Sequence, residues 1–138
     1  MEKNAQWRFT PPTHVLAAFY QALKEHYIEG GIQGRYDRYM QNCKTLCKGM
    51  KEIGFKQLLP DHLQAPIIIT FMQPDNPNFK FEQFYDTLSK KGFLIYPGKL
   101  TIANTFRIGC IGYLNSNDIR EALKAIKKTI QELNIQLN

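Results

Sequence analysis

Apolar residues return at helical intervals in four stretches of the chain, with short apolar runs between them. In residues 13–29, Val15, Leu16, Phe19, Leu23 and Tyr27 recur with the period of a helix. Pro11 and Pro12 bar an earlier start, Thr13 offers an N-cap, and Gly30 and Gly31 supply a stop. A second helix is predicted over 33–53, where Tyr36, Tyr39, Met40, Cys43, Leu46, Cys47, Met50 and Ile53 form one apolar face. Gly54 follows as the residue past its end.

Residues 55–59 then read as a strand closed by Pro60 and Asp61. The run 65–72, with Ile67, Ile68 and Ile69 in a row, is the clearest strand and implies burial on both faces. A loop rich in Pro and Asn follows at 73–78. Phe81, Phe84, Tyr85 and Leu88 mark a short helix stopped by Gly92. Strands are predicted at 93–96, turned by Pro97 and Gly98, and at 105–108. A final helix over 115–133 is capped by Asn115 or Ser116. Its inner face is Ile119, Leu123, Ile126, Ile130 and Leu133, and Asp118 favours its N-terminus. The order α–α–β–β–α–β–β–α is that of an α+β two-layer sandwich. Its small mixed or antiparallel sheet carries the helices on one face.

Composition narrows the class. With 138 residues, the chain suffices for one domain with a real core. The longest apolar run, 66–72, is far short of the ~20 residues a membrane helix needs, so no membrane role is expected. MEKNAQWRFT has no apolar segment of the secretory kind. The three cysteines, Cys43, Cys47 and Cys110, are too few and too odd for a disulfide framework. They read as reduced thiols of a cytoplasmic protein, and no metal site is expected because no further Cys or His lies at ligand spacing. A net charge of +6 would suit a nucleic-acid partner. The basic residues are instead dispersed over polar helix sides, such as Lys44, Lys48 and Lys51, so a nucleic-acid partner is not expected. His14, His26 and His62 form no catalytic pair.

Three segments carry a resemblance: QWRFTPPTH at 6–14, LLPDHLQAPIIITF at 58–71 and YPGKLTIANTFRIGCIG at 96–112. Together the chain resembles the 2-aminoethylphosphonate–pyruvate transaminases. These are class V aminotransferases with the fold-type I pyridoxal phosphate architecture. The resemblance implies a large domain with a mainly parallel sheet, followed by a small C-terminal domain. This chain is similar to the C-terminal portion: 1–32 leads from the large domain, and 33–138 forms the small α/β domain. The implied reaction moves the amino group of 2-aminoethylphosphonate to pyruvate, giving phosphonoacetaldehyde and alanine. Pyridoxal 5'-phosphate and a homodimer are implied for the full-length enzyme.

In that family the lysine that holds the cofactor, and the Asp that pairs with its ring nitrogen, precede the segment resembling WRFTPPTH. No lysine here matches; Lys3, in MEKN, has a different setting. No catalytic residue is therefore expected in this chain, no cofactor is expected to bind it alone, and the isolated chain is expected to be inactive.

The resemblance assigns Arg107, in FRIG, to the acidic group of the substrate. A guanidinium fork suits carboxylate and phosphonate oxygens. On the residues alone, the favoured reading of Arg107 is a strand-end arginine paired with a surface carboxylate, and the resemblance reverses it. Phe106 and Ile108 are expected on the opposite face, and Gly109 allows close approach of a ligand. The resemblance also brings Thr10 and Trp7 to the cofactor phosphate of the neighbouring subunit. The plainer readings are that Thr10 shapes the approach to Pro11 and that Trp7 anchors an interface. Lys99 reads as a solvated turn lysine. The reading from a different class is a free-standing small α/β module holding an anionic ligand or a protein partner.

Overall fold

The computed structural model describes residues 7–98 and 103–137; Lys3 and Lys99 lie outside them. The chain divides into two compact units, Met1–Arg35 and Tyr36–Asn138.

In the first unit, helix α1 spans Thr13–Ile28. Thr13 is its first residue and Pro12 its N-cap, because the Pro12 carbonyl already accepts the Leu16 N–H at 3.0 Å. The cap read for Thr13 is thus one residue late. No residue of α1 is buried: Val15, Phe19 and Leu23 are 65%, 59% and 49% exposed. The chain turns at Gly30 and enters helix α2, Gly31–Ile53, two residues before the expected start. Arg35 closes the unit on Glu29, with an Nη2–carboxylate distance of 2.7 Å.

The second unit is a single helix layer on a three-stranded antiparallel sheet. Its strands are β1, Ile68–Met72, β2, Tyr96–Pro97, and β3, Thr105–Gly109, in the order β1-β3-β2. Helices α3, Phe81–Lys90, and α4, Ser116–Glu132, pack against each other. The core joins Cys43, Leu46 and Met50 of α2 to Ile69 and Phe71 of β1. It continues through Phe84 and Leu88 of α3, Phe106 and Ile108 of β3, and Ile119, Ile126 and Ile130 of α4. Phe106 is its centre, meeting the rings of Phe55, Phe71, Phe79, Phe81 and Phe84 at 5.3–6.3 Å. These offset and edge contacts add to burial as aromatic pairs do, by about 0.5–1.5 kcal/mol each.

Local signals end the elements as their chemistry requires. Gly54 stands at φ +110° after α2, a conformation other residues rarely adopt. At α4, Asn115 accepts the Asn117 N–H at 2.8 Å and Asp118 accepts the Asn115 N–H at 2.8 Å, a capping box.

Three strand expectations are corrected. Residues 55–59 form no strand but run beside β1 with one isolated bridge, Gln57 to Phe71. Leu58 and Leu59 there are 37% and 42% exposed, so burial does not hold them straight. The 65–72 run is not buried on both faces: Ile69 and Phe71 are at 0% exposure, while Ile67 and Ile68 are at 49% and 36%. In the second unit the described helices cover one side of the sheet; period-2 alternation turns Ile68 away from them, and Ile67 stands before β1. The strand read at 93–96 lies at 96–97. Pro97, read as its turn, is inside it, which an edge strand permits because its missing N–H faces no partner.

Candidate anion-binding site

Strand β3 carries TFRIG, and its alternation sorts the side chains. Phe106 and Ile108 enter the core at 0% and 7% exposure, which puts Arg107 on the opposite face, half-buried. Its cross-strand neighbours are Thr70 on β1 and Tyr96 on β2. Those pairs share its face. That face is open, with Tyr96 at 55% exposure.

The guanidinium is oriented by backbone. Its Nε donates to the Pro97 carbonyl at 3.2 Å. Pro97 is fixed in turn through its neighbour: the Gly98 N–H donates to the Thr105 carbonyl at 2.9 Å. Only glycine fits that approach, since a Cβ at residue 98 would stand 2.0 Å from the Thr105 hydroxyl. Among the described residues Arg107 has no carboxylate within ion-pair distance. The plainer reading of this arginine, a strand-end partner for a surface carboxylate, therefore has no carboxylate to rest on. A Cβ at Gly109 would meet nothing within 4 Å, so packing does not demand glycine there and the space above the backbone is open.

The segment after β3 is held by two side chains that the sequence pattern does not single out. Asn42, at 0% exposure, donates from Nδ2 to the carbonyls of Cys110 at 3.2 Å and Leu114 at 3.0 Å. Arg38, one turn earlier on α2, donates to the carbonyls of Gly112 and Leu114 and lies over the Tyr39 ring at 5.0 Å. Residues 110–114 run directly from the Arg107 strand into α4. The signal that finds this clamp is a carboxamide at a core-facing helix position, four residues from Leu46.

Trp7 and Thr10 belong to the first unit and are both exposed; Trp7 is at 58%. In the same segment Arg8 lies over the Phe9 ring at 5.7 Å. The described lysines do not fit a covalent aldehyde-cofactor site. Every one is exposed except Lys91, which is bound to Glu132 at 2.5 Å. A cofactor lysine needs a desolvated pocket that depresses its charge. No helix among the described residues is long and apolar enough to cross a membrane.

Over 135 residues, 98% of its length, the chain is 48% identical to the 2-aminoethylphosphonate–pyruvate transaminase of Pseudomonas fluorescens, and equally to that of Rhizobium meliloti. The chain is thus similar, over nearly its whole length, to a part of these transaminases. It spans about 37% of the Pseudomonas protein and 35% of the Rhizobium one. No protein-family model matches it. Its fold is that of known aminotransferases. The alanine–glyoxylate aminotransferase of Nostoc superposes with a TM-score of 0.79 at 19% identity, over 93% of this chain and 34% of that one. The ureidoglycine–glyoxylate aminotransferase of Bacillus subtilis gives a TM-score of 0.69 at 22% identity, over 80% of this chain and 29% of that one.

Proposed function

We propose that this chain is the C-terminal small domain of a cytoplasmic enzyme that moves the amino group of 2-aminoethylphosphonate to pyruvate, with Arg107 binding the acidic group of both substrates. The observation that carries this is the state of Arg107. It is half-buried on the open face of a sheet, oriented through Nε, and, among the described residues, without a carboxylate of its own. The two terminal nitrogens remain to make parallel bonds to a planar carboxylate or to two oxygens of a phosphonate. Thr10 and Trp7 are assigned to the cofactor phosphate of the neighbouring subunit in a homodimer. A hydroxyl and backbone N–H groups near a helix start suit that anion. When bound, pyridoxal phosphate supplies the electron sink for amino transfer. The exposed lysines described here do not hold it, and the isolated chain is inactive in this reading.

The test is to graft the chain in place of the matching 135 residues of the Pseudomonas fluorescens relative and follow each half-reaction by single-turnover kinetics. The graft should convert 2-aminoethylphosphonate and pyruvate. Arg107→Ala removes the partner of a desolvated anion, at a cost of about 2–5 kcal/mol. Such a loss lowers kcat/KM by roughly two orders of magnitude or more in both directions. Arg107→Lys keeps the charge but loses the fork and should be nearly as poor. An Arg107→Ala graft that slowed only one half-reaction, or neither, would remove Arg107 from the shared role.

A further inference from the structure

Two hydroxyl side chains flank Arg107 on the open face of the sheet. Thr70 stands opposite it on β1 and Tyr96 opposite it on β2. Directly opposed residues of antiparallel strands share one face, with Cβ atoms about 5 Å apart. The two hydroxyls are not equivalent. The Arg107 Nε donates to the Pro97 carbonyl at 3.2 Å, so the guanidinium leans over β2, on the Tyr96 side. The Thr70 hydroxyl is attached directly to Cβ and stays low against the sheet, on a half-buried residue. The Tyr96 hydroxyl stands at the far end of a ring, a side chain comparable in reach with an arginine. Tyr96 is 55% exposed, and among the described residues its hydroxyl makes no hydrogen bond.

We propose that Tyr96 is a specificity-determining residue of the anion site: its hydroxyl donates to the phosphonate oxygen that the Arg107 fork leaves over, and it has no such oxygen to meet on a carboxylate. This rests on the amino-transfer reading and deepens it. A carboxylate has two oxygens in one plane, and the two terminal nitrogens of the fork take both. A phosphonate carries three oxygens on a tetrahedral phosphorus. When two of them lie in the plane of the fork, the third must stand out of it. A guanidinium is planar and has no donor in that direction. Once the site is closed to water, an oxygen without a donor costs free energy, so a donor beside the fork favours the phosphonate alone. Tyr96 is the long hydroxyl side chain on the face and on the strand towards which the fork leans. Being neutral, it adds a bond without adding charge, and so leaves the carboxylate to the fork. The fork then serves both anions in turn, and the tyrosine serves one.

The same graft into the Pseudomonas fluorescens relative carries the test, with each half-reaction measured for Tyr96→Phe, Thr70→Val and Arg107→Ala. Tyr96→Phe keeps the ring and removes only the hydroxyl, at an exposed position where folding is not at risk. It should lower kcat/KM for 2-aminoethylphosphonate by roughly tenfold to a hundredfold, the range of a hydrogen bond to a charged group. The loss should appear chiefly as a raised KM, and the pyruvate half-reaction should keep the parent rate. Competitive inhibition gives a readout without turnover: Tyr96→Phe should weaken methylphosphonate by the same factor and leave acetate as it was. Thr70→Val should change neither half-reaction. If Arg107→Ala slows both half-reactions while Tyr96→Phe slows both alike, or neither, the assignment of Tyr96 falls and the shared anchor stands. A phosphonate-selective loss in Thr70→Val that Tyr96→Phe does not show would move the third contact to β1 and overturn it as well. Arg107→Ala leaving either half-reaction intact, or a parent graft that converts neither substrate, would overturn the anion site itself and the role of Tyr96 with it.

Discussion

Replacing Asn42 by Ala should destabilise the second unit far more than an ordinary polar-to-Ala change. The side chain is fully buried, and its Nδ2 serves two carbonyls, at 3.2 Å on Cys110 and 3.0 Å on Leu114. Each neutral hydrogen bond contributes about 0.5–1.5 kcal/mol net. The two carbonyls differ in what they lose. Leu114 keeps the Arg38 guanidinium at 3.0 Å, whereas Cys110 belongs to a residue at 0% exposure. A buried acceptor deprived of its donor costs about 1–3 kcal/mol. Against this, Asn42 Oδ1 is itself buried without a partner, and removing it returns about 1 kcal/mol on the same scale. The balance is about 2–4 kcal/mol of destabilisation. Urea unfolding followed by circular dichroism should show the midpoint falling by about 1–2 M with the slope unchanged. Asn42→Asp separates hydrogen bonding from shape. An ionised carboxylate cannot donate to either carbonyl, and burial raises its folded pKa above the unfolded value near 3.9. Its penalty is therefore smallest below that value and grows as pH rises towards the folded pKa, so Asn42→Asp should be closer to the parent chain at pH 4 than at pH 7. A loss under 1 kcal/mol for Asn42→Ala, or an Asn42→Asp penalty that does not depend on pH, would refute the clamp.

Thr129 presents the opposite case. Its hydroxyl is fully buried with no hydrogen bond, so Thr129→Val should be neutral or stabilising by up to about 1 kcal/mol in the same urea experiment. Incubating the chain with pyridoxal phosphate and reducing with borohydride should label several exposed lysines weakly, as peptide mapping would reveal; a single stoichiometric adduct would contradict the fit argument above. The apolar stripe of Val15, Phe19 and Leu23 on α1 should drive concentration-dependent association in sedimentation velocity, relieved by Phe19→Asp. A strict monomer at all concentrations would count against it.

What was legible in the sequence follows the range of the interaction involved. Helices α3 and α4 were readable because their apolar spacing, the stop after α3 and the cap of α4 are all local: Asn115 and Asp118 form the box that their spacing allows. The facing of Arg107 was readable for the same reason, since two buried neighbours on a strand force the residue between them outward. Residues 55–59 were misread because a strand is completed by pairing, and side-chain pattern carries no information about the partner's length. The 65–72 run was misread because three isoleucines in a row cannot say whether one helix layer or two will cover them. The partners of Asn42 lie further out still. Its carboxamide at a core-facing helix position is a local signal, but the carbonyls it meets depend on where the end of β3 returns to α2, a tertiary fact.

The misreading of that isoleucine run bears directly on the site. Had the sheet been buried on both faces, Arg107 would be a charge sealed between layers and would need its own carboxylate. With helices on one side only, the same strand alternation that sends Phe106 into the core sends Arg107 towards open space. There it is steadied by a backbone carbonyl, which orients the fork without neutralising it. An arginine in this state binds small anions weakly while water reaches it, because Coulomb attraction at high dielectric is modest. Its strength as an anion ligand depends on what closes over Tyr96, Ile68 and Thr70 on that face. The domain thus supplies direction and charge, and desolvation must come from a surface laid against the sheet. The same reasoning separates Arg107 from Lys91, whose ammonium charge is already matched by the Glu132 carboxylate at 2.5 Å.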